Sequence, residues 1–281
     1  MWVSGAPIPA HVVNLDRSPD RLALMRETFE RLGLGFSRLA AVDGAGLSPD
    51  QTAAFLAQHP GHRWLTGEIG CLLSHYAFWQ AVAAGPAAHG AVFEDDVRLS
   101  PRLAALLADS AWIPADADLV KLETSGQKVA LATTAEPARD TFALHRLHSQ
   151  HLRTAGYIVS RAAARRLVDL FPSMDGPVDL MLFDPAHRIF PQFAVYQLVP
   201  AVCIQIAHHE GDADRARIGS VIQKDATFLA NREPRKSKLP LHRKIVREAA
   251  RPFRRLHARI TTALAYRGTD TAFVRVPFAR E

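Results

Sequence analysis

The first fifty residues spell a single alternation: strand, helix, strand. Val12, Val13 and Leu15 form a short buried strand, which Asn14, Asp16 and Arg17 bring to an end. Ser18-Pro19 opens a helix, because Ser18 can accept from an orphaned N–H and proline suits the first helical position. Leu22, Met25, Phe29 and Leu32 recur at helical spacing, and Gly33 can end the helix. Phe36 to Val42 reads as a second strand, stopped by Asp43-Gly44. A unit of this kind begins an α/β sheet.

The remaining chain extends the pattern. Residues 48–58 form a short helix opened by Ser48-Pro49. Thr66 caps a longer one, which carries Glu68 in its first turn and runs to about Ala84. Gly90 to Phe93 and Asp118 to Leu122 are compact strands. Residues 142–147 alternate weakly. Tyr157-Ile158-Val159 is a strand, after which Ser160 caps the helix Arg161 to Phe171. Val195 to Val199 reads as the last strand, and 129–138 as a loop.

Composition supports a folded domain, with 48% hydrophobic residues over 281 positions. No run approaches the roughly 18 apolar residues of a membrane-spanning helix. The N-terminus lacks the basic start and apolar core of an export signal. Cys71 and Cys203 make no disulfide framework and are expected to be reduced, buried and intracellular. No CxxC, HExxH or Walker-type loop occurs, so zinc-ribbon, zincin and P-loop chemistry have no support.

Charge divides the chain. Residues 231–281 hold 14 Lys/Arg against 4 Asp/Glu, although the whole chain is only +6. The expected organisation is an α/β domain over 1–230 and a basic extension over 231–281. Within 239–265, Leu241, Ile245, Ala249, Phe253, Leu256, Ile260 and Leu264 recur every three or four residues among arginines and lysines, the pattern of a basic amphipathic helix broken before Pro252. Such a helix suits an anionic membrane surface, or docks on its own domain. Nucleic acid is a poor fit, since few aromatic residues interleave with the charge.

Glu94-Asp95-Asp96 follows directly on the apolar strand Gly90 to Phe93. Open α/β sheets bind ligands outside the carboxyl ends of their strands. Adjacent carboxylates repel unless a cation offsets them, and Mg²⁺ or Mn²⁺ takes one or two carboxylates together with phosphate oxygens and water. A solvated acidic loop is the plain alternative. A second segment, Gly67-Glu68-Ile69-Gly70-Cys71 with Ser74-His75, places small residues at a helix entrance, where N–H groups can meet an anion. Close packing would equally explain its glycines, and an ordinary hydrogen-bonded role would explain His75.

Asn14-Leu15-Asp16-Arg17 with Arg21, then Gly67 to His75, then Phe93-Glu94-Asp95-Asp96 together resemble the ordered motifs of glycosyltransferase family 25, the bacterial lipopolysaccharide sugar transferases akin to collagen galactosyltransferases. Ala155-Gly156-Tyr157-Ile158-Val159-Ser160, Pro177-Val178-Asp179, Pro200 with Gln205, and Ser220 agree with its later segments. The likeness spans roughly 8–222. Val221 departs from it where an acidic residue is expected, and the basic tail lies outside the shared pattern.

The resemblance implies a GT-A-like fold and inverting transfer of a hexose from a UDP-sugar to a glycan or lipid-linked saccharide, assisted by Mn²⁺ or Mg²⁺, on the cytoplasmic side of a membrane. It implies Glu94 and Asp96 as metal ligands and Asn14, Arg17, Arg21, Ser74, His75, Asp95 and Gly156 on the donor side. Asp179, in the apolar run Pro177 to Phe183, is the candidate general base, with a helix N-terminal carboxylate as its plain alternative. Glu123, at a strand end, is the second candidate. His208 and His209 are further potential ligands. A nucleotidyl- or phosphotransferase would use the same acids, and a non-catalytic glycan- or membrane-binding adaptor would retain only their binding role.

Overall fold

In the computed structural model, residues 5–206 and 270–280 are described. The strands are β1 (Ala10–Asn14), β2 (Ser37–Ala40), β3 (His89–Glu94), β4 (Val97–Leu99), β5 (Leu119–Lys121), β6 (Lys128–Ala132), β7 (Glu136–Pro137), β8 (Ala143–Arg146), β9 (Gly156–Ser160), β10 (Val195–Val199), β11 (Cys203–Gln205) and β12 (Thr271–Arg275). The helices are α1 (Pro19–Arg31), α2 (Pro49–Gln58), α3 (Thr66–Ala84), α4 (Leu103–Leu107), α5 (Arg161–Leu170) and α6 (Val178–Phe183).

An eight-stranded mixed sheet, ordered β2-β1-β3-β9-β5-β10-β8-β7, carries the fold. β1 pairs in parallel with β2 and β3, as the opening strand–helix–strand pattern requires. β9 then enters antiparallel between β3 and β5, with Gly156 opposite Phe93 and Tyr157 opposite Lys121. This insertion brings the start of β9 beside the carboxyl ends of both neighbours.

Alternating side chains build a core on each face of the sheet. Phe93 and Ile158 pack with Met25 and Phe29 of α1 and with Leu103 and Leu106 of α4. Val92, Tyr157 and Val159 pack with Phe78 and Trp79 of α3, Leu167 of α5 and Phe183 of α6. Each such fully buried side chain contributes about 1.5–3 kcal/mol of transfer free energy.

Several helix ends follow local chemistry. Ser48 Oγ accepts from Gln51 N at 3.1 Å while Gln51 Oε1 accepts from Ser48 N at 2.9 Å, a reciprocal cap on α2. Ser160 Oγ caps α5 through Ala163 N at 3.1 Å. Thr66 differs from expectation: it is the first residue of α3, and Leu65 occupies the cap, its N–H taken by Glu68 Oε2 at 2.9 Å. The carboxylate of Glu68 reaches back to the N–H of the cap residue, the return half of a capping box, and no cap side chain supplies the other half.

The sequence reading undercounts strands. The segment 129–138 contains β6 and β7, and β10 is followed by β11 and β12. β12 pairs antiparallel with β6, from Thr271 opposite Ala132 to Arg275 opposite Lys128, so the chain's last described stretch packs against the body. The amphipathic segment 239–265, His208, His209, Ser220 and Val221 lie outside the described residues. Among the described residues, no helix is long and apolar enough to cross a membrane.

Candidate active site

A cleft of about 340 Å³ opens at the carboxyl ends of β1 and β3. Arg17, Arg21 and Asp43 line it on one side, Thr66, Gly67, Gly70, Cys71, Ser74 and His75 of α3 on another, and Glu94, Asp95 and Asp96 on a third. Tertiary structure thus gathers the separated motifs into one place.

The loop after β1 reaches the acidic triplet through Asn14. Its buried side chain donates Nδ2 to Asp95 Oδ2 at 2.6 Å and to Ser18 O at 3.0 Å, and its Oδ1 accepts from Arg38 Nε at 3.1 Å. Arg21 Nη1, in the first turn of α1, donates to Asp95 Oδ1 at 3.1 Å. Both oxygens of Asp95 are therefore engaged by protein groups. Arg17 pairs with Asp43, whose Oδ1 also accepts from Ala45 N at 3.1 Å. Two guanidinium groups are held at the cleft wall by fixed carboxylates, an arrangement suited to phosphate oxygens.

Helix α3 supplies structure more than free polar groups. Ser74 Oγ donates to Gly70 O at 2.6 Å and accepts from Val42 N at 2.9 Å. A Cβ on Gly70 would stand 2.5 Å from Val42 O and 2.7 Å from Gly44 N. Ser74 and Gly70 thus lock the loop after β2 onto the helix, which is the packing alternative for this glycine. Gly67 differs, with nothing within 4 Å of an added Cβ. His75 is buried, and its Nδ1 lies 2.9 Å from the Tyr157 hydroxyl, which accepts from Trp79 Nε1 at 2.8 Å. The pairings are consistent when Tyr157 donates its proton to Nδ1 while accepting from Trp79, which leaves the imidazole hydrogen on Nε2. Burial pushes this imidazole down to about 4, so it is neutral at physiological pH.

Gly156 also packs rather than faces the cleft: a Cβ there would meet Cys203 Sγ at 2.7 Å and Phe93 at 3.3 Å. Cys71 does face the cleft, but burial, with Glu94 nearby, pushes its thiol up to about 12, so it stays protonated.

The carboxylates differ from one another. Glu94 accepts from Thr154 Oγ1 at 2.9 Å and from Gln205 Nε2 at 3.0 Å. Burial first, then the neighbouring charges of Asp96 and Glu123, raise its pKa to about 8. Burial likewise raises Asp96, with Arg21 opposing and Asp95 adding to the shift. Among the described residues, Asp96 Oδ1 is buried without a hydrogen-bond partner, as is Glu123 Oε1. Among the described residues, no group of three or more His, Cys, Asp or Glu is placed to hold a metal ion. The local donor set is thus a pair of acids, with Asp96 carrying the unmatched oxygen.

The two base candidates sit beyond this pair. Asp179 lies in the first turn of α6, half-buried; its Oδ2 accepts from Arg153 N at 3.0 Å and its Oδ1 from Leu180 N at 2.9 Å. Glu123 is 0% exposed; its Oε2 accepts from Ala155 N at 3.1 Å and lies 3.4 Å from Lys121 Nζ. Burial raises the Glu123 pKa and Lys121 opposes it. Arg153, Thr154 and Asp43 are site residues that sequence reasoning did not single out. Thr154 had one signal, its place immediately before Ala155-Gly156.

An α/β sheet that gathers acids and cationic groups at its strand ends places them where open α/β folds bind their ligands. The sequence profile of glycosyltransferase family 25 (LPS biosynthesis protein) matches residues 8–182. The lacto-N-neotetraose biosynthesis glycosyltransferase LgtB of Neisseria meningitidis serogroup B is 32% identical over 243 residues, 82% of this chain and 86% of that protein. LgtB of Neisseria gonorrhoeae is 33% identical over 76% of this chain and 81% of its own length. A glycosyltransferase 25 family member of Aedes aegypti is 37% identical over 37% of this chain and 19% of its own. The chain belongs to glycosyltransferase family 25 and is a glycosyltransferase, which moves a sugar from an activated donor to an acceptor.

Proposed function

We propose that this enzyme is an inverting hexosyltransferase that moves galactose or glucose from a UDP-sugar to a glycan acceptor such as lipopolysaccharide core or another cell-surface saccharide. The observation that carries the reading is the placement of Glu94, Asp95 and Asp96 in one cleft with Arg17 and Arg21. The LgtB proteins, whose names state lacto-N-neotetraose biosynthesis, support a glycan acceptor.

Single displacement asks the protein to hold two sugars in line, neutralise a departing diphosphate and take a proton from the acceptor hydroxyl. Arg17 and Arg21 present cationic groups to the diphosphate. Asp95 stays bound to Asn14 and Arg21 and orients that side of the cleft. Asp179 takes the acceptor proton, with its carboxylate aimed by the Arg153 and Leu180 N–H groups. Glu123, fully buried against Lys121, is the weaker base candidate. A divalent cation, Mn²⁺ or Mg²⁺, fits the unmatched Asp96 oxygen with Glu94 alongside, since such ions take one or two carboxylates and fill their remaining positions with phosphate and water. When bound, it would supply charge neutralisation for the leaving nucleoside diphosphate.

The basic segment 231–281 supports a cytoplasmic enzyme held on the inner membrane face through 239–265, close to a lipid-linked acceptor. The testing experiment incubates the purified chain with a panel of UDP-, GDP- and CDP-sugars, saccharide acceptors and Mn²⁺, and follows nucleoside diphosphate release. Asp96→Ala and Asp179→Ala are expected to stay folded and lose transfer. Full activity in either variant removes that residue's role. Release of pyrophosphate instead of UDP rejects the whole reading.

A further inference from the structure

Three consecutive residues hold three carboxylates from β3, α6 and the segment just past β5. Arg153 N–H binds Asp179 Oδ2 at 3.0 Å, Thr154 Oγ1 donates to Glu94 Oε1 at 2.9 Å, and Ala155 N–H binds Glu123 Oε2 at 3.1 Å. The antiparallel insertion of β9 makes this possible, because residues entering it pass the ends of β3 and β5 together. Two ladder bonds fix that passage, Glu94 N to Ala155 O and Leu122 N to Gly156 O, each at 3.0 Å.

Arg153 has a φ of 82°, the left-handed region that L residues other than glycine seldom occupy. Its N–H is taken by the half-buried Asp179 carboxylate and its carbonyl by the buried Lys121 side chain, so both sides of the strained residue are tied to ionisable groups. Strain that the surroundings over-determine is a mark of a segment whose exact position matters. Thr154 is itself buried, and its hydroxyl donates to Glu94 while also lying within hydrogen-bond reach of the Cys71 thiol.

We infer that Arg153–Ala155 is a positioning strap and that Thr154 is the positioning residue that sets the donor-side carboxylate Glu94 against Asp179. The inference rests on the transfer reading and deepens it by assigning alignment to residues that need not touch either sugar.

Thr154→Val removes the hydroxyl at nearly constant volume, and Thr154→Ser retains it. With UDP-sugar and acceptor, Thr154→Val is expected to lower kcat roughly 10- to 100-fold, the scale of a misaligned reaction. The thermal shift caused by UDP without divalent cation should stay within about twofold of wild type, and Thr154→Ser should recover most of kcat. An unchanged kcat, or a loss of metal-free UDP binding parallel to the loss of turnover, overturns the inference. A crystal structure of Thr154→Val provides a readout independent of turnover. A displaced Glu94 carboxylate is expected, and an unmoved one overturns the strap. A wild-type chain inactive with every donor would strike the transfer reading alone.

Discussion

Arg21 Nη1 lies 3.1 Å from Asp95 Oδ1, so a residue of the first helix and the middle acid of the strand-end triplet form one mostly buried pair. Removing either partner strands the other in a cleft where water replaces it poorly. Arg21→Ala should destabilise the protein by about 1–3 kcal/mol and weaken UDP binding, because it deletes a cation and releases Asp95. Urea unfolding and UDP-induced thermal shift measure the two effects. A variant as stable as wild type would show that the pair carries little weight.

Tyr157 joins two indispensable partners in the second core. Tyr157→Phe leaves Trp79 Nε1–H and His75 Nδ1 buried without the hydroxyl. The expected cost is about 2–4 kcal/mol, roughly the desolvation penalty of two stranded groups. Trp79 fluorescence should report unfolding at a lower denaturant concentration.

The two glycines that open α3 should respond in opposite directions. Gly70→Ala forces a methyl onto the backbone of Val42 and Gly44 and should cost about 1–3 kcal/mol. Gly67→Ala meets open space and should add about 0.5–1 kcal/mol through helix propensity, while intruding on the cleft. Thermal melts combined with donor titration separate the two outcomes.

His75 and Glu94 predict opposite pH effects. The unfolded chain protonates His75 near 6.5 and the folded chain near 4, so stability rises with pH through that window and is lost as pH falls from 6.5 toward 4. Glu94 is released near 4.5 in the unfolded chain but holds its proton to about 8 when folded. Without metal, stability therefore falls as pH rises from 4.5 to 8. Each contributes at most about 1.4 kcal/mol per pH unit. Relative to wild type, His75→Gln should gain stability toward acid and Glu94→Gln toward alkali. Differences that stay flat across urea titrations at several pH values would contradict both shifts.

Much was legible locally. The capped helices α2 and α5, the strands β1, β3 and β10, and the motif residues that line the cleft follow from patterns a few residues long. Such patterns report what neighbouring side chains want. They did not reveal β11 and β12, whose pairings need partners far along the chain. Nor did they separate Gly67, which faces open space, from Gly70, which packs against Val42.

Sequence alone determined the alternation of strands and helices, the acids at the end of β3, and membership of a recognisable family, because periodicity and motif order are written in consecutive residues. Tertiary structure decided which acids keep an unmatched oxygen, which polar residues spend their hydrogen bonds on the fold, and how Arg153–Ala155 comes to hold three carboxylates. Burial and hydrogen-bond partnership depend on the whole packed arrangement, and above all on β9 running antiparallel between β3 and β5.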